Sequence, residues 1–199
     1  MPTHVTTNPA KIPGSWRDGW VLDLHTVSST YLGDNQEGHP QYETIRTELG
    51  ELLFQLKYRS DSKSLAGIVA TAVHFIRSWK PDLTIVAAVP ASKRRRHQPV
   101  VLIAEGIAEK LDIPFKRNAV RRILEVPELK GVYDYAERVR LLESAHEVNA
   151  KVVRDERVLL IDDLYRSGAT MDSVARSLYN QGAASSVFAL AITRTRTRT

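Results

Sequence analysis

The spacing of apolar residues divides the chain into alternating strands and helices. Leu83 to Val89, Leu-Thr-Ile-Val-Ala-Ala-Val, is a nearly continuous apolar run of strand length, the pattern of a strand covered on both faces. Val100, Val101, Ile103, Ala104, Ile107, Ala108 and Leu111 then recur at helical spacing, and Pro114 closes that stripe. Arg157 to Ile161 predicts a strand, Thr170 to Asn180 a helix that turns Met171, Val174, Ala175 and Leu178 inward, and Ser186 to Ile192 a last strand. Upstream, Ile45, Leu49, Leu52, Leu53 and Leu56 fall on one helical face that ends near Tyr58 and Arg59. A further helix begins around Ser62, with Asp61 or Ser62 as its cap, and stops before Pro81. Strand, helix, strand in this order implies an α/β protein with a central parallel sheet, right-handed crossovers and helices on both faces.

The remaining stretches are less regular. Residues 1 to 18 carry Pro2, Pro9, Pro13 and Gly14 without periodicity and read as an irregular arm. Trp20 to His25 fits a short strand, and Gly33 to Pro40 is a loop by composition. Residues 115 to 135 show no strong period, and a loop of that length suits a lid. The expected division is an N-terminal arm and hood over residues 1–60 and a core over 61–199, the whole forming one compact domain.

Composition narrows the classes. A chain of 199 residues with 43% hydrophobic content can bury one substantial core. It has no cysteine, which excludes disulfides, thiolate metal ligands and a cysteine nucleophile, and fits a cytoplasmic setting. No apolar run approaches the roughly 18 residues a membrane helix requires, and the N-terminus has no signal-like pattern, so a soluble, unexported protein is expected. The net charge of +5 is gathered in Lys93-Arg94-Arg95-Arg96, in Arg121-Arg122, in Arg138 and Arg140, and in Arg194, Arg196 and Arg198. Such clusters suit phosphate, but no zinc-finger spacing, RNA-recognition signature or aromatic-basic interleaving accompanies them. A polyphosphate small molecule explains the first cluster at least as well as DNA, and none of the six histidines falls in a metal-ligand pattern.

The most specific stretch is residues 158 to 170, Val-Leu-Leu-Ile-Asp-Asp-Leu-Tyr-Arg-Ser-Gly-Ala-Thr. It reads as a buried strand, two adjacent carboxylates, a short turn and a helix start, at the strand edge where open α/β proteins bind ligands. Ser167, Gly168, Ala169 and Thr170 can aim backbone amides and hydroxyls at an anion held at the positive end of the helix. Asp162 and Asp163 repel a bare phosphate and suit ribose hydroxyls, or a magnesium ion bound to them. Taken in pieces, the acid pair also occurs in magnesium-binding receiver domains, and Ser-Gly-Ala-Thr also serves as an ordinary cap.

The whole order resembles the 5-phosphoribosyl-1-pyrophosphate (PRPP) motif of type I phosphoribosyltransferases. The resemblance implies that Asp162 and Asp163 hold the ribose 2′ and 3′ hydroxyls and serve catalysis, with Mg2+ near them indirectly, and that Arg166 to Thr170 hold the 5′-phosphate. Two positions depart from the usual pattern: Tyr165 replaces an aliphatic residue and Arg166 a small or acidic one. Hypoxanthine-guanine enzymes carry an aspartate at the place of Arg166 that is thought to handle a purine proton, a role arginine cannot take at neutral pH, so salvage of 6-oxopurines by that route is disfavoured. The pyrophosphate pocket of the fold follows its first core strand, which here implies Ala91, Ser92, Lys93 and Arg94.

The segment from Arg121 to Val148 resembles the ComF-like, competence-associated branch, through Arg121-Arg122, Pro127, Gly131 and Ala136-Glu137-Arg138-Val139-Arg140. Leu129 and Leu141 stand where that branch commonly has glutamine and asparagine, and the zinc ribbon of many ComF proteins is missing. By this likeness Arg121, Arg122 and Lys130 are candidates for a closing loop. Trp16, Trp20, Asp23, His25, Thr26, Ser28 and Ser29 are either hood residues over a base or packing on the core. The leading expectation is a Mg2+-dependent transferase, homodimeric like its relatives, that moves ribose 5-phosphate from PRPP to a small nitrogenous acceptor. Its rival is a non-catalytic PRPP or nucleotide sensor associated with competence or DNA.

Overall fold

The computed structural model describes residues 3–59, 61–91, 98–123, 142 and 145–196. A five-stranded sheet forms its centre in the order β1 (Ala10–Lys11), β2 (Asp18–Leu24), β9 (Ser186–Arg194), β8 (Arg157–Tyr165) and β5 (Ile85–Ala88). The last four run parallel, and β1 is an antiparallel edge. Consecutive strand residues alternate between two cores. Leu159, Ile161, Phe188, Leu190 and Ile192 face α1 (Glu48–Arg59), α2 (Ser62–Trp79) and α3 (Pro99–Leu111). Val158, Leu160, Val187, Ala189 and Ala191 face a second helical layer: α4 (Ala150–Val153) and α5 (Ala169–Asn180). The expected α/β architecture with helices on both faces is therefore present.

Local chemistry explains the helix ends. Glu48 and Glu51 open α1 and Lys57 and Arg59 close it, each set opposing the charge of the helix terminus. Asp61 caps α2 through the amides of Lys63 and Ser64. Pro99 starts α3, and Asp112, at φ 57°, ends it in the left-handed region.

The first 60 residues depart most from expectation. β1 and β2 belong to the central sheet, and β3 (Thr26–Asp34) pairs with β4 (Pro40–Arg46) in a separate hairpin. Only the tip of that hairpin is the loop expected at Gly33 to Pro40. Ile45, expected on the first helix, lies on β4 and is 56% exposed. The irregular stretch after residue 115 contains β6 (Val120–Arg122), which pairs with β7 (His146–Val148). Among the described residues no helix is long and apolar enough to cross a membrane.

Candidate functional site

Strand β8 continues past its buried half and carries Asp162 and Asp163 to the edge of the sheet. The loop after β5 begins beside them, because the amide of Val89 donates to the carbonyl of Ile161 at 2.9 Å. Of the expected pyrophosphate residues, Ala91 lies on this loop, while Ser92, Lys93 and Arg94 lie outside the described residues.

The acid pair is electrostatically asymmetric. Asp162 Oδ1 accepts the amide of Asp163 at 2.8 Å. Burial, reinforced by the charge of Asp163, pushes the Asp162 carboxyl up to about 7. Asp163 has a cationic partner: Lys57 Nζ, from the last turn of α1, lies 2.9 Å from its Oδ1, and the two side chains are only 15% and 20% exposed. Sequence reasoning missed Lys57, since its position next to Leu56 on a polar helix end announces no partner.

The turn that follows leads directly into α5. Gly168 caps α5 at φ 80°, a conformation that disfavours a side chain. The Tyr165 ring packs over it, so a Cβ there would meet the Tyr165 hydroxyl at 2.4 Å. That hydroxyl donates to the carbonyl of Pro13 at 3.3 Å, tying the cradle to the N-terminal arm. Asp172, in the first turn of α5, would repel an anion, but Ser15 N donates to it at 2.5 Å and Arg176 Nε at 3.1 Å. Beside the cradle a cleft of about 450 Å³ opens between Ser15 on the arm and Tyr165, Ser167 and Arg176. Arg166 and Ser167 are exposed and Thr170 is half-buried.

On the other side of the acid pair stands His25. Its Nδ1 lies 3.2 Å from Thr193 Oγ1, and Thr193 donates to the carbonyl of Asp163 at 3.4 Å. Burial, then the charges of Lys57, Arg46 and Arg166, hold this imidazole below its ordinary value against the opposing pull of Asp163. Arg46 bonds Glu51 at 3.3 Å and holds its guanidinium carbon over Phe54, 3.8 Å from the ring centre.

The remaining candidate residues are spread over other elements. Arg121 is on β6, where it grips Glu147 at 2.9 and 2.7 Å, and Arg122 stands opposite His146 in the ladder. Lys130 lies outside the described residues. Trp16 donates to the Ile12 carbonyl at 3.1 Å, and Trp20 packs edge-on against Phe75 at 5.5 Å, so both serve the core. Asp23 accepts the amide of Leu24 at 2.7 Å, and Thr26, Ser28 and Ser29 sit on β3. Among the described residues no three acidic or imidazole side chains converge as a metal site.

No protein-family model matches the chain. It is 28% identical over 187 residues to the competence protein ComFC of Bacillus subtilis, covering 94% of this chain and 75% of that protein. Its fold is similar to glutamine PRPP amidotransferase from B. subtilis, with a TM-score of 0.50, 16% identity and 79% of this chain covered. A structure of the allosteric regulatory enzyme of purine biosynthesis matches equally, at TM-score 0.50 and 17% identity over 79% of the chain. The chain spans 34% of each of those two proteins. The parallel sheet that carries the acid pair and the glycine turn is thus of the fold that glutamine PRPP amidotransferase shares, and the sequence is similar to that of the competence protein ComFC.

Proposed function

We propose that the chain binds PRPP and transfers its ribose 5-phosphate to a small nitrogenous acceptor, with release of pyrophosphate. The observation that carries this reading is the continuity of one strand, one acid pair and one glycine-capped helix. Hydroxyl-seeking carboxylates and an anion-seeking helix end then lie a few residues apart. Asp162 and Asp163 would accept the ribose hydroxyls, and the amides of residues 167 to 170 would hold the 5′-phosphate. The loop beginning at Val89 and Ala91 would receive the pyrophosphate. Positive charge develops on the sugar ring as the C1–oxygen bond lengthens, so catalysis rests mainly on fixing the ribose and stabilising the leaving group.

Hard carboxylate oxygens suit Mg2+. Two of them, one already paired with Lys57, do not make a resident metal site, so Asp162 and Asp163 would act on the ion through ribose hydroxyls or water. When bound with PRPP, the ion would neutralise charge on the departing pyrophosphate.

Calorimetric titration with PRPP and Mg2+, followed by a pyrophosphate-release assay over a panel of bases, tests the reading. Wild type is expected to bind, and Asp163→Asn to bind about 10- to 100-fold more weakly, as expected for losing charged hydrogen bonds. Unchanged binding by that variant refutes the site. The exposed Arg166, where related enzymes carry a proton-handling carboxylate, favours the second reading, a PRPP sensor. Tight binding with no pyrophosphate released for any base would select it.

A further inference from the structure

A transfer to nitrogen leaves a proton to be removed, and Arg166 cannot take it. We infer that His25 is the proton acceptor, with Nε2 as the basic atom; this rests on the transferase reading above. The hydrogen-bond geometry points to the tautomer. Thr193 is fully buried, and with its hydroxyl proton on the carbonyl of Asp163, 3.4 Å away, its oxygen accepts from His25. Nδ1, at 3.2 Å, therefore carries the ring proton, and Nε2 keeps its lone pair. Nε2 has no hydrogen-bond partner among the described residues.

The ring is held in place. The His25 amide donates to the Arg194 carbonyl at 2.7 Å, and its own carbonyl lies so close to α1 that a Cβ on Gly50 would come within 2.1 Å of it. Thr193, which orients the imidazole, sits opposite Leu164 in the ladder with β8 and bonds the backbone of Asp163. The same residue thus links the proposed ribose-binding strand to the proposed base.

The charged groups facing the ring are Lys57 from α1, Arg46 from β4, Arg166 from the turn after β8, and Asp163 from β8 itself. Three cations against one carboxylate, together with burial, disfavour imidazolium and keep the lone pair free at neutral pH. In the step, the acceptor nitrogen forms its bond to C1 while the C1–oxygen bond breaks and its electron pair leaves on pyrophosphate. The proton of that nitrogen passes to Nε2.

Two measurements test this. Long-range proton–nitrogen correlation spectra of histidine-labelled protein are expected to show His25 as the neutral Nδ1–H form at pH 7, and the Nε2–H form overturns the inference. His25→Asn, whose amide can still reach Thr193, is expected to keep PRPP affinity within about twofold. Its kcat for pyrophosphate release with adenine, hypoxanthine, orotate or anthranilate, whose acceptor nitrogens each lose a proton, is expected to fall about 100-fold or more, the scale of general-base catalysis. In His25→Ala, added imidazole is expected to restore part of the rate. If wild type turns over and His25→Asn matches it, the role of His25 fails while the transferase reading stands. If wild type binds PRPP but releases no pyrophosphate with any base, the transferase reading fails and the proton role falls with it.

Discussion

Lys57→Met removes a charge while keeping most of the apolar stem, so it isolates what the ammonium does for Asp163. The two side chains are 15% and 20% exposed, which makes the pair largely dry. Deleting one partner of a buried pair costs about 3–5 kcal/mol, mainly because the other charge is left uncompensated. Residual access to water places this case at the lower end, about 3 kcal/mol. For a chain of this length each kcal/mol moves Tm by roughly 2–4 °C, so a fall of about 6–12 °C is expected in thermal melts. Urea titration at the same pH supplies the free energy directly. Adding Asp163→Asn to Lys57→Met removes the stranded carboxylate and should recover most of the loss. A single variant within about 0.5 kcal/mol of wild type would refute the buried pair. A double variant no more stable than the single would refute uncompensated charge as the cause.

Gly168→Ala places a Cβ 2.4 Å from the Tyr165 hydroxyl at a left-handed φ. It is expected to cost at least about 1–2 kcal/mol in urea titration and to weaken PRPP binding by calorimetry, because the ring and the cradle cannot both keep their places. His146 is buried, with Nδ1 3.4 Å from the Ser173 hydroxyl, and burial together with the Arg122 charge pushes it down to about 4. The unfolded chain takes up this proton near pH 6.5 and the folded chain only near 4. The stabilising effect of a neutral His146 is thus complete above 6.5 and lost as pH falls towards 4, on the order of 3 kcal/mol. His146→Gln should flatten that part of the stability–pH curve, and an unchanged slope would refute the assignment.

The parallel core was legible because its strands are buried on both faces and so carry unbroken apolar runs, as Leu83 to Val89 and Ser186 to Ile192 do. The proposed cradle was legible for a different reason: Asp162, Asp163 and Gly168 stand out by their local order, and the strand, turn and helix that present them are contiguous. The hairpin was hidden because Val27, Tyr31, Leu32, Tyr42 and Ile45 all point into solvent, leaving no buried alternation to read. Ile45 even matched the period of the helix after it, and the ladder with β3 overrode that period.

What sequence order cannot supply is the half of the site contributed by tertiary contact. Thr47 bonds the Leu24 carbonyl at 2.6 Å, and Gly50 lets α1 close on His25; together they fix the helix against the end of β2. That placement brings Lys57 to Asp163 and sets His25 against Thr193. Each of these residues is unremarkable among its sequence neighbours and acquires its chemistry only from a partner on a distant strand. Local order therefore motivates the proposed ligand of the strand edge. Whether chemistry follows binding depends on how the N-terminal strand and α1 are docked beside that edge, and His25 is the point where the two meet.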